Sequence, residues 1–409
     1  MAVIVKRGSV PKVPHTEFYF KDGVLALEEI HGVYGFSGAY SRKMHVRRYP
    51  TEQAAPPALA DFDLKVVAAE AQPLQPYHLR TGRLPHTGDF WRSRQPLVTG
   101  PATIVSVAKP AHSSRGDEFF KNGEAHELVF VQEGEGELLT EYGRLPFRPG
   151  LYVVIPKGTL TQWSLKTPKA FFLVIESTYP IHFAPHHLNA QGQATLMAPV
   201  VETEIGLPEL DAPRDEKGAY TVLVKHDGGR VSRLTLGHHP FDVCGWEGAL
   251  YPFTFDSADH HSIAREIHTA PPARQTFQAG QAPHNGFSIC TFRSQVEGWH
   301  AKDIPAPYAH SNVDSDEVMF FSNTSYGARQ GVIEPGSMTF HPGSLPHSPQ
   351  GDAAKRSFAS RGKVSDYLAI MLDTFFETLR LTRQGLACAD REYVMSWARQ
   401  DADGISPSA

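Results

Sequence analysis

Short apolar stretches separated by turn residues recur along most of this 409-residue chain. They are spaced about 8 to 12 residues apart, a spacing typical of antiparallel β-sandwiches and barrels. Apolar and polar residues alternate within several of them, so each is expected to lie in a sheet with one face toward a core. The pattern predicts a mainly β protein, with clear strands at 127–131, 136–141, 151–155 and 170–175.

The C-terminal tail departs from this pattern. In the segment 363–382, apolar residues recur at helical spacing, Ser365 is a candidate N-cap, and Gly385 follows as a stop signal. We predict an amphipathic helix there that covers the β core, and a second short helix around 391–399. The apolar positions concerned are Leu368, Met371, Leu372, Phe375 and Leu379.

The length suggests two domains or one large domain. The stretch 198–217 contains three prolines and lacks strong periodicity, so it is predicted to link two β-rich halves. On this interpretation the halves comprise residues 1–205 and 206–409.

Composition and charge exclude several classes of function. A net charge of −5 leaves no basic surface for nucleic acid or an anionic membrane. No apolar run reaches the roughly 18 residues of a membrane span, and the N-terminal apolar run is too short for a signal peptide. The three cysteines lie far apart, which argues against a thiolate zinc site or disulfides. We expect a cytoplasmic protein.

Two segments, 126–163 and 310–347, share one layout. Each contains a strand that begins next to a carboxylate, a tight turn, a return strand, a Pro-Gly step, another strand and a proline loop that ends at an aromatic ring. In the second segment His310 is followed by Glu317 and then by His347. The alternative is that these are three unrelated polar residues on loops, but the repeat and the Pro-Gly framing favour a built site.

Alternate side chains of neighbouring strands point into a narrow barrel, so His310, Glu317 and His347 could converge inside one. Two histidines and one carboxylate on one face of a metal leave positions open, which suits non-haem Fe(II) that binds both a substrate and O2. The first segment keeps His126 and Glu127 but has Trp163 where the distal histidine would be. That copy is therefore expected to be a structural barrel without metal.

This layout resembles the two-part cupin motif, His-x-His-(x)4-Glu followed by Pro-Gly and a distal His. Asn312 stands in place of the second motif histidine, which would leave a three-residue triad. The resemblance implies two cupin-like β-barrel halves: a metal-free half at 1–205, and a catalytic half at 206–409 with C-terminal helices packed on it.

The chain also resembles homogentisate 1,2-dioxygenases over nearly its whole length, most strongly from Tyr220 onward. Three departures leave the substrate open: Glu317 follows His310 by seven residues rather than six, the chain is shorter than the best-known eukaryotic members, and residues 311–316 differ from the usual Arg-Asn pair. Within the matching segment 245–252, Glu247 stands in place of a usual histidine. The segments that carry the resemblance are GFSGAY (35–40) with RRY (47–49), GAYTVLVK (218–225), GWEGALYP (245–252), HNGFSICT (284–291), PYAH (307–310), YGARQG (326–331) and PHSP (346–349).

The resemblance implies that the two histidines and Glu317 hold Fe(II), that His284 is the acid–base residue, and that Tyr326 and His341 line the substrate pocket. Each of the last three also has a simpler interpretation. His284 could be an ordinary loop histidine, Tyr326 a turn aromatic, and His341 a hydrogen-bonded core histidine.

The implied reaction is ring cleavage of homogentisate by O2 to 4-maleylacetoacetate, in tyrosine and phenylalanine catabolism. Family members form trimers and hexamers, so a homo-oligomer is implied, without nucleic-acid or membrane partners. Three alternatives remain: a dioxygenase of gentisate or another substituted hydroquinone, a metal-dependent cupin isomerase or hydrolase, and a binding protein of the seed-storage type.

Overall fold

The computed structural model describes residues 3–47, 53–261, 274–281, 283–323, 331–349 and 351–398. These residues are predominantly β-strand, as the sequence predicted. The strands are β1 (Val5–Gly8), β2 (Tyr19–Phe20), β3 (Val24–Leu25), β4 (Leu27–Gly32), β5 (Tyr40–His45), β6 (Gln53–Leu59), β7 (Tyr77–Leu79), β8 (Arg94–Thr99), β9 (Thr103–Ala108), β10 (Glu118–Asn122), β11 (His126–Glu133), β12 (Gly136–Thr140), β13 (Gly143–Phe147), β14 (Leu151–Ile155), β15 (Leu160–Leu165), β16 (Phe171–Ser177), β17 (Ile181–Phe183), β18 (Ile205–Gly206), β19 (Lys217–His226), β20 (Arg230–His238), β21 (Val243–Gly248), β22 (Phe253–Asp256), β23 (Gln275–Ala279), β24 (Gly286–Phe292), β25 (Val296–Glu297), β26 (Glu317–Phe321), β27 (Ser337–His341), β28 (Lys363–Val364), β29 (Ala369–Phe375) and β30 (Arg380–Leu381). The α-helices are α1 (Gly351–Phe358), α2 (Arg383–Ala387) and α3 (Tyr393–Ala398).

Four larger sheets organise the described strands. Sheet I has the order β1-β21-β5-β4, and sheet II the order β13-β12-β15-β10-β19-β20-β6. Sheet III has the order β18-β22-β14-β11-β16-β9-β8-β30, and sheet IV the order β17-β23-β24-β29-β26-β27-β7. Sheets III and IV each include edge strands from the other half of the chain, namely β30 in sheet III and β7 and β17 in sheet IV, so the two halves interlock.

Sheets II and III enclose an aromatic core that forms the first barrel. Trp163 lies at its centre, 1% exposed, with its ring stacked on Phe90 at a centroid distance of 4.1 Å. Phe172 of β16 packs against both rings. The residue that interrupts the repeated motif is therefore a main packing element of this barrel, because large aromatic rings contribute most of the buried area in a core.

Sheets III and IV pack against each other through a second core. On β26, Val318 and Phe320 belong to this core, together with Leu128 and Phe130 of β11. Because successive side chains in a strand point to opposite faces, Glu317 points away from this interface. The site-bearing face of sheet IV is thus the one turned away from sheet III, and we call the half of the chain built on sheet IV the second barrel.

The predicted helix at 363–382 is wrong. Its centre is the strand β29, which pairs with β24 on one side and β26 on the other in the middle of sheet IV. A central strand with both faces covered has a nearly continuous apolar run, which can match helical spacing by chance. Ser365 caps nothing and instead donates from its hydroxyl to the carbonyl oxygen of Gln295 at 3.1 Å.

The second predicted helix is confirmed by α3, and Tyr393 at its start packs against Ile333 of the second half. The predicted strands at 127–131, 136–141, 151–155 and 170–175 correspond to β11, β12, β14 and β16. Among the described residues no helix is both long and apolar enough to cross a bilayer.

The proposed boundary between residues 205 and 206 cuts through paired strands. β19 pairs with β10 and β22 pairs with β14, so residues from 217 to 256 complete the sheets of the first barrel. The stretch 198–217 contains a short 3-10 turn, the two-residue β18 and the first residue of β19, and it leads into strands of sheets III and II, which form the first barrel. The strand pairing places the change of half after Asp256.

Candidate metal centre

Backbone pairing brings the two predicted histidine ligands together. His310 and His347 form an isolated antiparallel bridge, in which each backbone N–H donates to the other residue's carbonyl, at 3.1 and 2.9 Å. Their ring centroids lie 4.4 Å apart. Glu317, the first residue of β26, points toward them. One potential ligand atom from each of His310, Glu317 and His347 lies within 4.8 Å of the others, and we call these residues the triad.

The imidazole orientations are set by the loop backbone. Nδ1 of His310 is 3.3 Å from the carbonyl oxygen of Tyr308, and Nδ1 of His347 is 3.0 Å from that of Leu345. A carbonyl can only accept, so Nδ1–H donates in both residues, and Nε2 carries the lone pair whenever the imidazole is neutral. The Nε2 atoms face Glu317 Oε2, at 3.6 Å for His310 and 3.3 Å for His347.

His341 of β27 positions the triad carboxylate. It pairs with Glu317 in the strand register, and its Nδ1 lies 2.6 Å from Glu317 Oε1. Its ring also stacks on His347, with centroids 4.4 Å apart. One carboxylate oxygen therefore faces His341 while the other faces the two triad histidines. The contact between His341 and Glu317 is the one expected of a hydrogen-bonded core histidine. It is also the contact expected of a residue that orients a metal ligand.

The electrostatics of the centre favour an ionised carboxylate. Burial raises the pKa of Glu317, but hydrogen bonds from His310, His341 and His347 outweigh it and hold this pKa well below its usual range. The same interactions raise the pKa of His310, and they raise that of His347 against the opposing effect of burial.

A second carboxylate beside the triad was missed in the sequence. Asp373 of β29 is directly opposite Glu317 in the strand register, and its buried Oδ1 has no hydrogen-bond partner among the described residues. Burial, together with the charge of Glu317, raises the pKa of Asp373 to about 8. Its signal in the sequence was a single carboxylate within the apolar stretch 369–375, where helical spacing predicts a helix instead.

Of the two other predicted site residues, His284 and Tyr326, the structure describes only His284. His284 is exposed in the turn before β24, where its backbone N–H donates to the carbonyl of Gln281 at 2.9 Å. The strand that follows this turn, β24, lies next to β29, with Ser288 opposite Asp373. Within the described part of the chain no hydrogen bond joins the His284 side chain to the triad. Tyr326 lies outside the described residues, so its role stays a prediction.

The first barrel has a carboxylate pair at the corresponding point. Glu127 of β11 is opposite Glu176 of β16, in the same strand arrangement that places Glu317 opposite Asp373. β11 lies between β14 and β16 in sheet III as β26 lies between β27 and β29 in sheet IV. We call Glu127 and Glu176 the first pair, and Glu317 and Asp373 the second pair.

Fixed cations occupy the space around the first pair. Arg94 Nη1 lies 2.5 Å from Glu127 Oε1, and Lys225 Nζ lies 2.6 Å from Glu176 Oε1. Asn122 Nδ2 donates to both carboxylates, at 3.0 and 2.6 Å. All five side chains are buried. The first pair is therefore neutralised by the protein itself.

His126, the other residue that the first copy shares with the motif, has a structural role. Its Nδ1 accepts the backbone N–H of Lys157 at 3.1 Å. Burial lowers its pKa to about 3, so this imidazole stays neutral. Its acceptor nitrogen is already used by the backbone.

The triad fits a divalent transition-metal cation. Two imidazole nitrogens and a carboxylate oxygen on one side of a point are the donor set of non-haem Fe(II) sites, which keep further positions open. Ligation requires both imidazoles to be neutral, and neutral imidazoles leave the charge of Glu317 uncompensated, whereas a bound dication would neutralise it. Each histidine also has the Nδ1 anchor that metal-ligating imidazoles commonly show.

Comparison with known proteins gives two adjacent family matches. Residues 102–257 match the homogentisate 1,2-dioxygenase N-terminal family, and residues 262–403 match the homogentisate 1,2-dioxygenase C-terminal family. The division between the two matches agrees with the strand pairing, which places residues up to 256 in the first barrel.

Two relatives extend this result. A protein of Saccharolobus solfataricus named as a dioxygenase is 30% identical over 96% of this chain and 98% of its own length. The homogentisate 1,2-dioxygenase of Bradyrhizobium diazoefficiens is 28% identical over 70% of this chain and 64% of its own length. Among solved structures, a cupin 2 conserved barrel domain protein from Leptotrichia buccalis is 10% identical and covers 75% of this chain and 99% of its own, with a TM-score of 0.31, too low to carry a conclusion.

Proposed function

This chain belongs to the homogentisate 1,2-dioxygenase family and is a dioxygenase-like oxidoreductase, and from that premise we propose the finer activity. We propose that it cleaves the ring of homogentisate with O2, giving 4-maleylacetoacetate in the breakdown of tyrosine and phenylalanine. We further propose that His310, Glu317 and His347 hold the Fe(II) that this reaction requires.

The convergence of the triad is the observation that carries the proposal. Its three potential ligand atoms lie within 4.8 Å of one another, and backbone carbonyls turn both Nε2 lone pairs toward the carboxylate. A site that is oriented before the metal binds loses less conformational entropy on binding. The donor set supports iron rather than magnesium or calcium, which prefer oxygen ligands.

Bound Fe(II) would supply a site where an electron-rich aromatic ring and O2 are held side by side and exchange electrons. The protein's residues then have separate tasks. His341 holds one oxygen of Glu317, which fixes the direction of the other. His284 is proposed to take the proton of a ring hydroxyl and return it later, a task suited to an imidazole near neutral pH. Tyr326 is proposed to contact the substrate.

Reconstitution and oxygen uptake test this proposal. Metal-free protein would be loaded anaerobically with Fe(II) or Zn(II), and O2 uptake and ring-opened product followed with homogentisate and with gentisate. We expect stoichiometric O2 uptake with homogentisate and Fe(II) only. Preference for gentisate would replace the substrate assignment, and turnover without O2 uptake would indicate a cupin isomerase or hydrolase.

The role of His284 has its own test. In His284→Ala, iron should remain bound while turnover falls about 100-fold or more, the usual scale for a general base. Loss of iron would make His284 a ligand instead. His186→Ala is a matched control, because this exposed loop histidine belongs to the first half.

The remaining assignments are also proposals. We propose a cytoplasmic homo-oligomer, a trimer or a hexamer as in the family, that takes a small aromatic acid and O2 and no nucleic acid or membrane. The three cysteines, Cys244, Cys290 and Cys388, are free thiols, which fits a reducing compartment. Size-exclusion chromatography with light scattering would test the assembly.

A further inference from the structure

Asp373 lies beside the triad, and one of its oxygens has no protein partner. It is directly opposite Glu317 on the neighbouring strand, and side chains in that relation have Cβ atoms roughly 4.5–5.5 Å apart. Its Oδ1 is buried and accepts no hydrogen bond, and no ion pair to Asp373 forms within the ranges that the structure describes. A buried polar atom in this state weakens a fold, so a role other than stability should account for it.

The first barrel shows how a carboxyl at this position is held when it is structural. Glu176 lies opposite Glu127 and is only 2% exposed. Its Oε1 is 2.6 Å from Lys225 Nζ and accepts a hydrogen bond from Asn122 Nδ2 at 2.6 Å. Asp373 has neither kind of partner among the described residues. The second barrel therefore retains the carboxyl without the groups that would neutralise it.

The triad is open on the side of Asp373. The strand that carries Glu317, β26, has β27 on one side and β29 on the other. The His341 ring on β27 stacks on His347, whose ring in turn lies 4.4 Å from that of His310. The three imidazoles are thus grouped with β27, whereas Asp373 borders Glu317 on β29. We expect the positions that the triad leaves open to face Asp373.

Solvent reaches this part of the face. The side chain of His310 is 38% exposed. Asp373 is partly exposed, although its chain neighbours Leu372 and Thr374, on the other face, are buried. Met371, the next residue of β29 on the face of Asp373, is also buried. On β29 the accessible part of the face therefore includes Asp373 and ends before Met371.

We propose that Asp373 binds the substrate hydroxyl that faces the triad. This inference rests on the proposed function. In homogentisate that hydroxyl is ortho to the acetate arm, so the two groups lie at one end of the molecule, next to the triad. The phenolic O–H donates and the unpartnered carboxyl oxygen accepts. Asp373 is then a specificity-determining residue, because it selects rings that carry a hydroxyl beside the acid arm.

A role in holding the metal is the competing explanation. The ligand atoms that lie within 4.8 Å of one another belong to His310, Glu317 and His347, and Asp373 is not in this group. If Asp373 held the cation, its removal would weaken Fe(II) binding in the absence of any substrate. Under our proposal its removal leaves Fe(II) affinity unchanged and weakens only ligands that carry the ortho hydroxyl.

A pair of ligands tests the hydrogen bond. Homogentisate is compared with 3-hydroxyphenylacetate, which has the same acid arm and lacks the hydroxyl beside it. Anaerobic calorimetry on Fe(II)-loaded wild type, Asp373→Ala and Asp373→Asn gives Kd for both ligands, and competition with a chelator gives Kd for Fe(II).

In Asp373→Ala we expect Kd for homogentisate to rise about 5- to 100-fold, the range for loss of one partner of a buried hydrogen bond. Kd for 3-hydroxyphenylacetate and Kd for Fe(II) should stay within about threefold. Asp373→Asn retains an acceptor oxygen and should recover part of the loss.

Stability separates this role from a structural one. Asp373 Oδ1 has no partner to lose, so Asp373→Asn should leave the denaturant midpoint of the metal-free protein unchanged or raise it. Glu176→Gln, the matched change in the first barrel, should lower the midpoint, because Lys225 loses its closest charge partner. A lower midpoint for Asp373→Asn would assign Asp373 to the fold and overturn the inference.

Equal weakening of both ligands in Asp373→Ala would also overturn the inference, as would a larger loss of Fe(II) affinity. If Asp373→Ala does not fold, Asp373→Val decides the question, because valine suits a strand and offers no hydrogen bond. The wild type separates the two proposals. No O2 uptake with homogentisate refutes the proposed function, whereas normal uptake with an unchanged preference for homogentisate in the variants refutes only the role of Asp373.

Discussion

Two carboxylates lie opposite each other on paired strands in both barrels, at corresponding points of sheets III and IV. In the first pair, Glu127 and Glu176 are bound by Arg94 and Lys225. In the second pair, Glu317 is surrounded by histidines, while Asp373 has an unpartnered oxygen. The two barrels thus share a buried negative centre and differ in what neutralises it.

The difference separates a structural centre from a candidate metal centre. Arginine and lysine have donors but no lone pair to offer at neutral pH, so they neutralise carboxylates and cannot ligate a metal. Neutral imidazoles have a free lone pair and no charge, so they can ligate a metal but leave the carboxylates uncompensated. A site of carboxylates and neutral imidazoles is therefore completed by a cation that the protein binds from solution.

The largest expected effect comes from removing the triad carboxylate. In Glu317→Ala, iron content should fall to background and turnover should be lost, because one of three ligands is gone and the remaining imidazoles are neutral. Metal analysis and O2 uptake on the purified variant measure both. Glu135→Ala, an exposed carboxylate of the first barrel, is the matched control. Retained iron in Glu317→Ala would refute the triad.

The corresponding substitution in the first pair should lower the stability of the fold. Glu127→Ala leaves Arg94 buried without its closest partner, and breaking a buried ion pair typically costs about 3–5 kcal/mol of unfolding free energy. Denaturant unfolding measures the loss, while iron bound per folded molecule should stay at the wild-type value. An iron deficit in the folded variant would show that iron binding in the second barrel depends on the first pair.

A smaller effect is expected from His341→Ala. The triad remains, but Oε1 of Glu317 loses the 2.6 Å contact with the imidazole. Removing a hydrogen-bond partner of a metal ligand typically lowers metal affinity about 10- to 100-fold. Competition with a chelator gives the affinity, and His341→Gln, which can still donate a hydrogen bond, should recover part of it. Unchanged affinity in both variants would leave His341 as a core histidine.

The smallest effect is a pH dependence of the metal-free protein. The pKa values of His310 and His347 are raised above 6.5 through Glu317. A histidine with a raised folded-state pKa stabilises the fold fully below its unfolded pKa, and that contribution is lost as the pH rises through the folded value. The unfolding free energy from this centre should therefore fall as the pH rises from below 6.5 through the raised folded-state pKa values.

Denaturant unfolding of metal-free wild type and Glu317→Gln measures this slope, which should be flatter in the variant. With iron bound the trend should reverse, because ligating imidazoles must be deprotonated. Equal slopes in the two metal-free proteins would show that the carboxylate does not hold the histidines protonated.

Much of the site in the second barrel could be predicted because the residues that form it lie close together in the sequence. The Pro-Gly step and the spacing of His310, Glu317 and His347 are local features of one repeated segment, and strand alternation turns them to a common face. The position of Trp163, where the distal histidine of the motif would be, was predictable for the same reason. The segment 369–375 was not, because a central strand buried on both faces has no distinctive period.

The sequence by itself determined the β architecture, the repeated segment and the three residues of the triad, since each depends on spacing within one stretch of chain. Only the tertiary structure decided that Asp373 lies opposite Glu317 and that Glu176 lies opposite Glu127. These neighbours are far apart in sequence, and strand register between such segments is set by the burial of whole faces rather than by local pattern. What neutralises each carboxylate pair is therefore a property of the packed barrels.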